Sequence, residues 1–177
     1  MLTQIDAAGR NYPALFLALD GVLDAVEDGR PSEDALQRSF EDSAEGFGAD
    51  KALFLIVEER EPLRLRALAS RGLSAHEVAA AEVGLSVPGI SASRIREAVE
   101  EGETLMVQDS ELIVGGVKTA ALRGPASSVL CAPVVDPRTR AVLAVLYVQH
   151  SRAFVELDRA WIEVYARALG RAMAVPR

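Results

Sequence analysis

Two apolar stretches separated by a short turn decide the fold: residues 128–135 read SVLCAPVV and residues 141–148 read AVLAVLYV. Both have the length of a strand, and the intervening Pro137-Arg138 pair is typical of a turn. They therefore predict an antiparallel hairpin. Because both faces of this hairpin are apolar, other elements must cover it on both sides.

A second hairpin is predicted earlier in the chain. Residues 52–57 (ALFLIV) form a continuous apolar run, and residues 63–69 (LRLRALA) alternate between apolar and polar side chains with period two. A tight turn joins them. With a further strand over residues 104–107, the pattern predicts a central antiparallel sheet of five to six strands.

Amphipathic helices are predicted at both ends of the chain, over residues 12–28 and from Phe154 to about Val175. A second helix follows the first, with Ser32 as its N-cap and Phe47 near its end. The apolar stripe of the last helix is predicted to consist of Leu157, Trp161, Tyr165, Ala168 and Ala172.

Two short helices are predicted between the hairpins. The first begins at Ser74 and Glu77, which have the spacing of a capping box. Ser91 or Ser93 caps the second, which runs to about Glu101 before Gly102 ends it.

This order of elements predicts an α+β domain. The central antiparallel sheet is expected to carry the terminal helices on one face and the short helices and loops on the other. We expect one domain over residues 12–175, an N-terminal arm over residues 1–11, and a C-terminal end at 176–177 that links to output domains if the chain is part of a longer protein.

Composition and charge restrict the function. The 177 residues carry 19 basic and 26 acidic side chains, a net charge of −7. Residues 1–50 hold 11 acids and 3 bases, so they would repel nucleic acid. One cysteine forms no internal disulfide, and no signal peptide or membrane span is evident. We expect a cytoplasmic protein that binds neither nucleic acid nor membrane.

Five stretches together resemble a GAF domain, the small-molecule-sensing module of bacterial signalling proteins. They are FGADKALFLI (47–56), SASRIREAVEEGE (91–103), SVLCAP (128–133), LAVLYV (143–148) and FVELD (154–158). The second and third are most similar to GAF domains of bacterial enhancer-binding transcription activators, which precede an AAA+ ATPase and a helix-turn-helix part. The resemblance implies a regulatory sensor with a GAF/PAS-like fold.

Some GAF domains are enzymes and others carry a chromophore, so both functions are compared with this sequence. GAF enzymes that reduce free methionine sulfoxide need several redox cysteines, and this sequence has only Cys131. Bilin carriers attach the chromophore to a suitably placed cysteine, whereas Cys131 lies inside a predicted strand. The only histidines, His76 and His150, are interpreted as a solvated helix residue and a turn residue. We expect no enzymatic activity, no catalytic residues and no cofactor.

Cys131 and the pair Phe154 and Asp158 have alternative interpretations. Cys131 could ligate iron with carboxylates from the 109–136 region or act as a redox switch, but a cysteine in an apolar strand more commonly packs in a core, and no metal site is predicted. Phe154 and Asp158 match part of a cyclic-nucleotide-binding pattern in which Arg159 replaces glutamate. Asp158 is interpreted instead as a charge at a helix N-terminus.

The binding site is predicted from the architecture, in an apolar cleft with a few convergent polar groups. Residues 109–127 are predicted to form a mobile loop over this cleft. The candidate ligand-binding residues are Ser91, Arg94, Asp109, Lys118, Ser127, Ser128 and Tyr147.

The terminal helices carry more apolar surface than one sheet contact needs, so we expect a homodimer through the first and last helices. The candidate interface residues are Phe16, Leu17, Ile162, Leu169 and Met173. The alternative is that these residues pack only against the sheet and the second helix. The predicted function is a sensor for an unknown small molecule; the alternative is a dimerisation or protein-interaction module without a ligand.

Overall fold

In a computed structural model, which describes residues 10–27, 31–87, 90–108 and 128–174, the chain forms an antiparallel sheet between two helical layers. The helices are α1 (Tyr12–Glu27), α2 (Glu33–Gly46), α3 (Ala75–Glu82), α4 (Ala92–Glu101) and α5 (Glu156–Met173). The strands are β1 (Lys51–Arg60), β2 (Leu63–Arg71), β3 (Leu105–Gln108), β4 (Ser128–Val135) and β5 (Val142–His150). The predicted α+β class and five-stranded sheet are confirmed.

The strands lie in the order β2-β1-β5-β4-β3, and each neighbouring pair is antiparallel. Strand β5 is central, because it pairs with β1 on one side and with β4 on the other. Tyr147 of β5 therefore lies between Leu53 of β1 and Cys131 of β4. The residues of β5 from Ala144 to Val148 are all buried, as expected of a strand covered on both faces.

Alternate strand residues point into two separate cores. The even-numbered side of β4, which includes Leu130 and Ala132, packs in a core with α1, α2 and α5. The odd-numbered side, which includes Cys131, packs with α3 and α4. At one point α5 approaches β4 so closely that a Cβ at Gly170 would collide with the carbonyl oxygen of Val135. The predicted division of the helices between the two faces is confirmed.

The local helix signals are also found where they were predicted. Ser32 caps α2 by accepting a hydrogen bond from the Ala35 N–H at 3.2 Å. Ser74 and Glu77 form both hydrogen bonds of a capping box. Ser91 occupies the N-cap position of α4, but its side chain forms no capping hydrogen bond, and Gly102 ends the helix with φ of 69°. No helix in the described part of the chain combines the length and apolar character that crossing a membrane requires.

The buried face of α5 agrees in part with the predicted stripe: Tyr165, Ala168 and Ala172 are buried, and Trp161 packs against the core. Ile162 and Leu169 have exposed fractions of 1% and 0% and belong to the chain's own core, whereas Leu157 is half exposed. Their assignment to a dimer interface is therefore wrong, because another copy cannot reach them. Apolar residues surround most of α5, so their spacing alone does not determine which side faces the sheet.

A buried charged residue lies in the first turn of this helix. The Asp158 carboxylate is completely buried and accepts a hydrogen bond from Arg10 Nε at 2.6 Å and from the Val155 N–H at 2.8 Å. Arg10 also donates to the Ala153 carbonyl at 2.9 Å, and its guanidinium lies 5.7 Å from the centre of the Phe154 ring. Arg10 is therefore part of the domain core, although the sequence placed it in an arm.

Replacing Arg10 by alanine should lower the free energy of unfolding by about 3–5 kcal/mol, because Asp158 is left buried without its cation. Urea denaturation followed by circular dichroism measures the change. The control, Arg159→Ala, breaks the exposed Arg159–Glu163 pair and should cost less than about 1 kcal/mol. Equal losses in the two variants would contradict a structural role of the buried pair.

Candidate functional site

The side of the sheet that faces α3 and α4 presents an apolar floor. Leu53, Cys131 and Tyr147 lie side by side across β1, β4 and β5, and all three are buried. Ile95 and Val99 of α4 cover this row. Burial raises the pKa of the Cys131 thiol strongly, so the cysteine is held in its neutral, weakly nucleophilic form.

Tyr147 brings a hydroxyl group to one end of the floor. This hydroxyl donates a hydrogen bond to Gln149 Oε1 at 2.9 Å, and burial raises its pKa. The backbone of Ser91, at the start of α4, lies beside the hydroxyl and offsets part of that increase. Tyr147, Gln149 and Ser91 thus form a small polar group on an otherwise apolar surface.

An ion pair lies next to this group. Lys51 stands opposite Gln149 in the sheet, and its Nζ contacts Glu77 Oε1 at 2.6 Å. The other oxygen of Glu77 accepts hydrogen bonds from the N–H and hydroxyl of Ser74, both at 2.8 Å. The hydrogen bond from Lys51 is the main cause that lowers the Glu77 pKa from its ordinary 4.5 to about 2.

A second ion pair lies on α4. Arg94 Nη1 contacts Glu97 Oε2 at 2.6 Å, and both charges influence the pKa of Cys131 beneath them. Beside this pair an open cleft of about 260 Å³ follows the outer side of α4. Its lining residues are Gly84, Ser86, Ser93, Arg96, Glu97 and Glu100.

The structure brings together Ser91, Arg94 and Tyr147 from the candidate ligand-binding residues, and their role in binding remains a prediction. Ser128 does not join them. It lies on the even-numbered side of β4, where its hydroxyl donates to the Arg152 carbonyl at 2.6 Å and accepts from the Phe154 N–H at 3.0 Å.

The other candidates, Asp109, Lys118 and Ser127, and the predicted loop over residues 109–127 lie outside the described residues. Sequence reasoning missed Lys51, Glu77 and Gln149. Strand alternation could have found two of them, because Lys51 is two residues from Leu53 and Gln149 is two residues from Tyr147.

The two histidines differ in their surroundings. His76 is exposed on α3, as predicted. His150 was interpreted as a turn residue, but it is the buried last residue of β5, and its Nδ1 accepts a hydrogen bond from the Arg152 N–H at 2.7 Å. Burial lowers its pKa. Within the described ranges, no three histidine, cysteine, aspartate or glutamate side chains cluster closely enough to hold a metal ion.

Comparison with known proteins identifies the protein family to which the chain belongs. A family model described as a GAF domain matches residues 29–174, so the chain belongs to the GAF domain family. A search of curated protein sequences gives no significant match.

Solved GAF structures share the fold. The GAF domain of the Coxiella burnetii phosphoenolpyruvate-protein phosphotransferase (ptsP) has 20% identity and a TM-score of 0.64 over 93% of this chain and 95% of that one. The inactive-state GAF domain of A. Aeolicus nlh2 has 14% identity and a TM-score of 0.61, covering 91% and 96%. The free methionine-R-sulfoxide reductase of Neisseria meningitidis, an enzyme, has 18% identity and a TM-score of 0.62, covering 97% and 96%.

Cys131 should behave as a core residue. Cys131→Ala is expected to cost on the order of 1 kcal/mol or more by leaving a cavity, and Cys131→Ser should cost more by burying a hydroxyl. A thiol reagent should react with the unfolded protein and leave the native protein unmodified. Stoichiometric iron that Cys131→Ala loses would instead favour the metal-ligand interpretation.

Glu77 should make stability depend on pH. Its folded-state pKa is lowered, so its contribution is complete above about pH 5 and is lost as the pH falls from 4.5 towards 2. Denaturation of wild type and Glu77→Gln should therefore differ at about pH 6 and converge at about pH 2.5. Glu101→Gln, at the exposed end of α4, serves as the control. A constant difference at both pH values would be inconsistent with this ion pair.

Proposed function

We propose that this GAF domain is a regulatory sensor that binds a small molecule between the sheet and the layer of α3 and α4. One observation carries the proposal. Lys51 of one ion pair stands opposite Gln149, which accepts the hydrogen bond of the Tyr147 hydroxyl, and Arg94 and Glu97 of the other pair act on Cys131 in the same apolar row. Small-molecule sites commonly combine an apolar surface with a few polar groups that orient the ligand.

The charges around this floor suggest the character of the ligand. Lys51 and Arg94 are cations, and Glu77 and Glu97 are their partners. Each charge already has a partner, so a ligand binds through the hydrogen-bonding positions that one ion pair leaves on an ammonium, a guanidinium or a carboxylate. A small polar molecule with both hydrogen-bond donors and acceptors fits this requirement best.

We further propose that the domain is a cytoplasmic homodimer in a bacterial signalling or transcription-regulatory protein, without direct contact to nucleic acid or membrane. The likeness of residues 91–103 and 128–133 to GAF domains of enhancer-binding activators supports this context. The acidic residues 1–50 argue against DNA binding by this segment, and the single cysteine favours a reducing compartment.

We propose a non-enzymatic role, although some GAF proteins of this fold are enzymes. Reversible redox catalysis through a protein disulfide needs a second thiol, and Cys131 is the only cysteine in the chain. Its complete burial and raised pKa also oppose attack on a substrate.

A second candidate function is a protein-interaction module that binds no small molecule. The arrangement of α4 favours it, because Ile95, Ala98 and Val99 already pack on the apolar floor. The cleft of about 260 Å³ described above opens on the outer side of α4 instead of over Tyr147.

Native mass spectrometry of the protein purified from cells should detect a retained small molecule in the wild type and lose it in Arg94→Ala and Tyr147→Phe. Arg159→Ala should retain it, because it breaks a comparable helix-surface ion pair on the opposite layer. If the wild type carries nothing and a small-molecule cell extract leaves its melting temperature unchanged, the protein-interaction function is favoured.

A further inference from the structure

We propose that His150 is a proton switch: protonation of its imidazole at weakly acidic pH releases the connection between β5 and α5, residues 151–155, and so loosens the first turn of α5. Phe154 of this connection packs in the core with α1, α2 and α5, on the side of the sheet opposite the proposed ligand site. The switch is tested without a ligand, so its failure is distinguishable from a failure of the proposed function.

The first observation is that side chains hold the backbone of this connection at each of its residues. These side chains come from β4, from the end of β5, from the first turn of α5 and from the segments before α1 and β1. The path of the connection therefore depends on them. Asp50 accepts from the Ser151 N–H, His150 from the Arg152 N–H and Asp158 from the Val155 N–H, Ser128 binds the Arg152 carbonyl and the Phe154 N–H, and Arg10 donates to the Ala153 carbonyl.

The second observation is that the contact of His150 exists only for its neutral form. Its Nδ1 accepts the Arg152 N–H at 2.7 Å, so the proton of the neutral ring is on Nε2. The protonated ring carries an N–H at both nitrogens and accepts no hydrogen bond. Protonation at Nδ1 therefore places two N–H groups against each other. Because His150 has an exposed fraction of only 7%, the ring cannot simply turn towards water.

The third observation is that the charges facing His150 are balanced in number. The carboxylates of Asp50, before β1, and Asp158, in α5, favour the charged ring. The guanidinium groups of Arg10, before α1, and Arg152, in the connection, oppose it. Burial is the largest cause acting on the ring, and it lowers the His150 pKa from its ordinary 6.5. The folded protein therefore holds His150 neutral at neutral pH.

Phe154 transmits the change from His150 to α5. The centre of its ring lies 6.2 Å from the centre of the imidazole, and the ring is buried. The Phe154 N–H donates to Ser128 Oγ at 3.0 Å, and the same hydroxyl donates to the Arg152 carbonyl at 2.6 Å. Release of the Arg152 N–H therefore weakens the anchor of Phe154. The next residue, Val155, is the N-cap of α5.

The direction of the pH response follows from the two forms of the connection. In the open form His150 is in water and its pKa returns to its ordinary 6.5, whereas the closed form has the lower pKa. The open form therefore binds more protons as the pH falls. Its population relative to the closed form rises by up to about tenfold for each pH unit below 6.5, and this rise ends below the pKa of the closed form.

The test measures hydrogen exchange of backbone amides in the full chain by NMR, at about pH 7.5 and about pH 5.5. The results are expressed as protection factors, which remove the intrinsic pH dependence of exchange. In the wild type, protection of the Arg152, Phe154 and Val155 N–H groups should be about two- to tenfold lower at the acidic pH. His150→Asn supplies an amide oxygen in place of Nδ1 and does not titrate, so its protection should be the same at both pH values. His150→Phe has no acceptor and should show low protection at both.

The matched control is His76→Asn, because His76 is the other histidine of the chain and is exposed on α3. This variant should keep the wild-type pH response. The opening is local, so the connection should be less protected than Leu146 and Val148 of β5 at both pH values. Equal protection of the connection and β5 would mean that the whole domain unfolds, and would overturn the switch. A wild type with the same protection at both pH values, or a pH response that persists in His150→Asn, also overturns it.

Discussion

The rest of the structure depends on a sheet whose central strand is apolar on both faces. Residues Ala144 to Val148 leave no side on which β5 can face water, so the chain must provide a helical layer for each side. The two layers are built differently. Three longer helices from the chain ends cover one face, and two short helices with partly buried ion pairs cover the other.

The strands and caps were predictable because their signals are local. Continuous apolar runs mark β1, β4 and β5, and the hydrogen bonds of Ser32 and Ser74 involve residues only three positions away. The strand order was not predictable, because β1 and β5 are far apart in the chain and many apolar strands would fit beside either one. The inward face of α5 was predicted in part, through Tyr165, Ala168 and Ala172, whereas the burial of Asp158 was not predictable because its partner Arg10 is 148 residues away.

Contacts between residues far apart in the chain were also the part of the candidate site that the sequence did not predict. Tyr147 and Arg94 were predicted to be neighbours because the layer of short helices was expected to lie against one face of the sheet. Ser128 was assigned to the site from its position next to the 109–127 loop, although strand alternation puts it on the side of Leu130. Glu77 was recognised as a capping residue, but its contact with Lys51 of β1 depends on how α3 packs against the neighbouring strand β2.

The contact between Arg10 and Asp158 also bears on how the domain opens. It joins a residue two positions before α1 to the first turn of α5, so the two ends of nearly the whole domain are in contact. Fraying of the N-terminal helix would expose a carboxylate that also caps the last helix, so the two first turns cannot melt independently. The ends of a protein are normally its least cooperative part. Here the first turn of α1 and the first turn of α5 belong to one cooperative unit. A force that pulls on the start of the domain therefore also acts on its final helix.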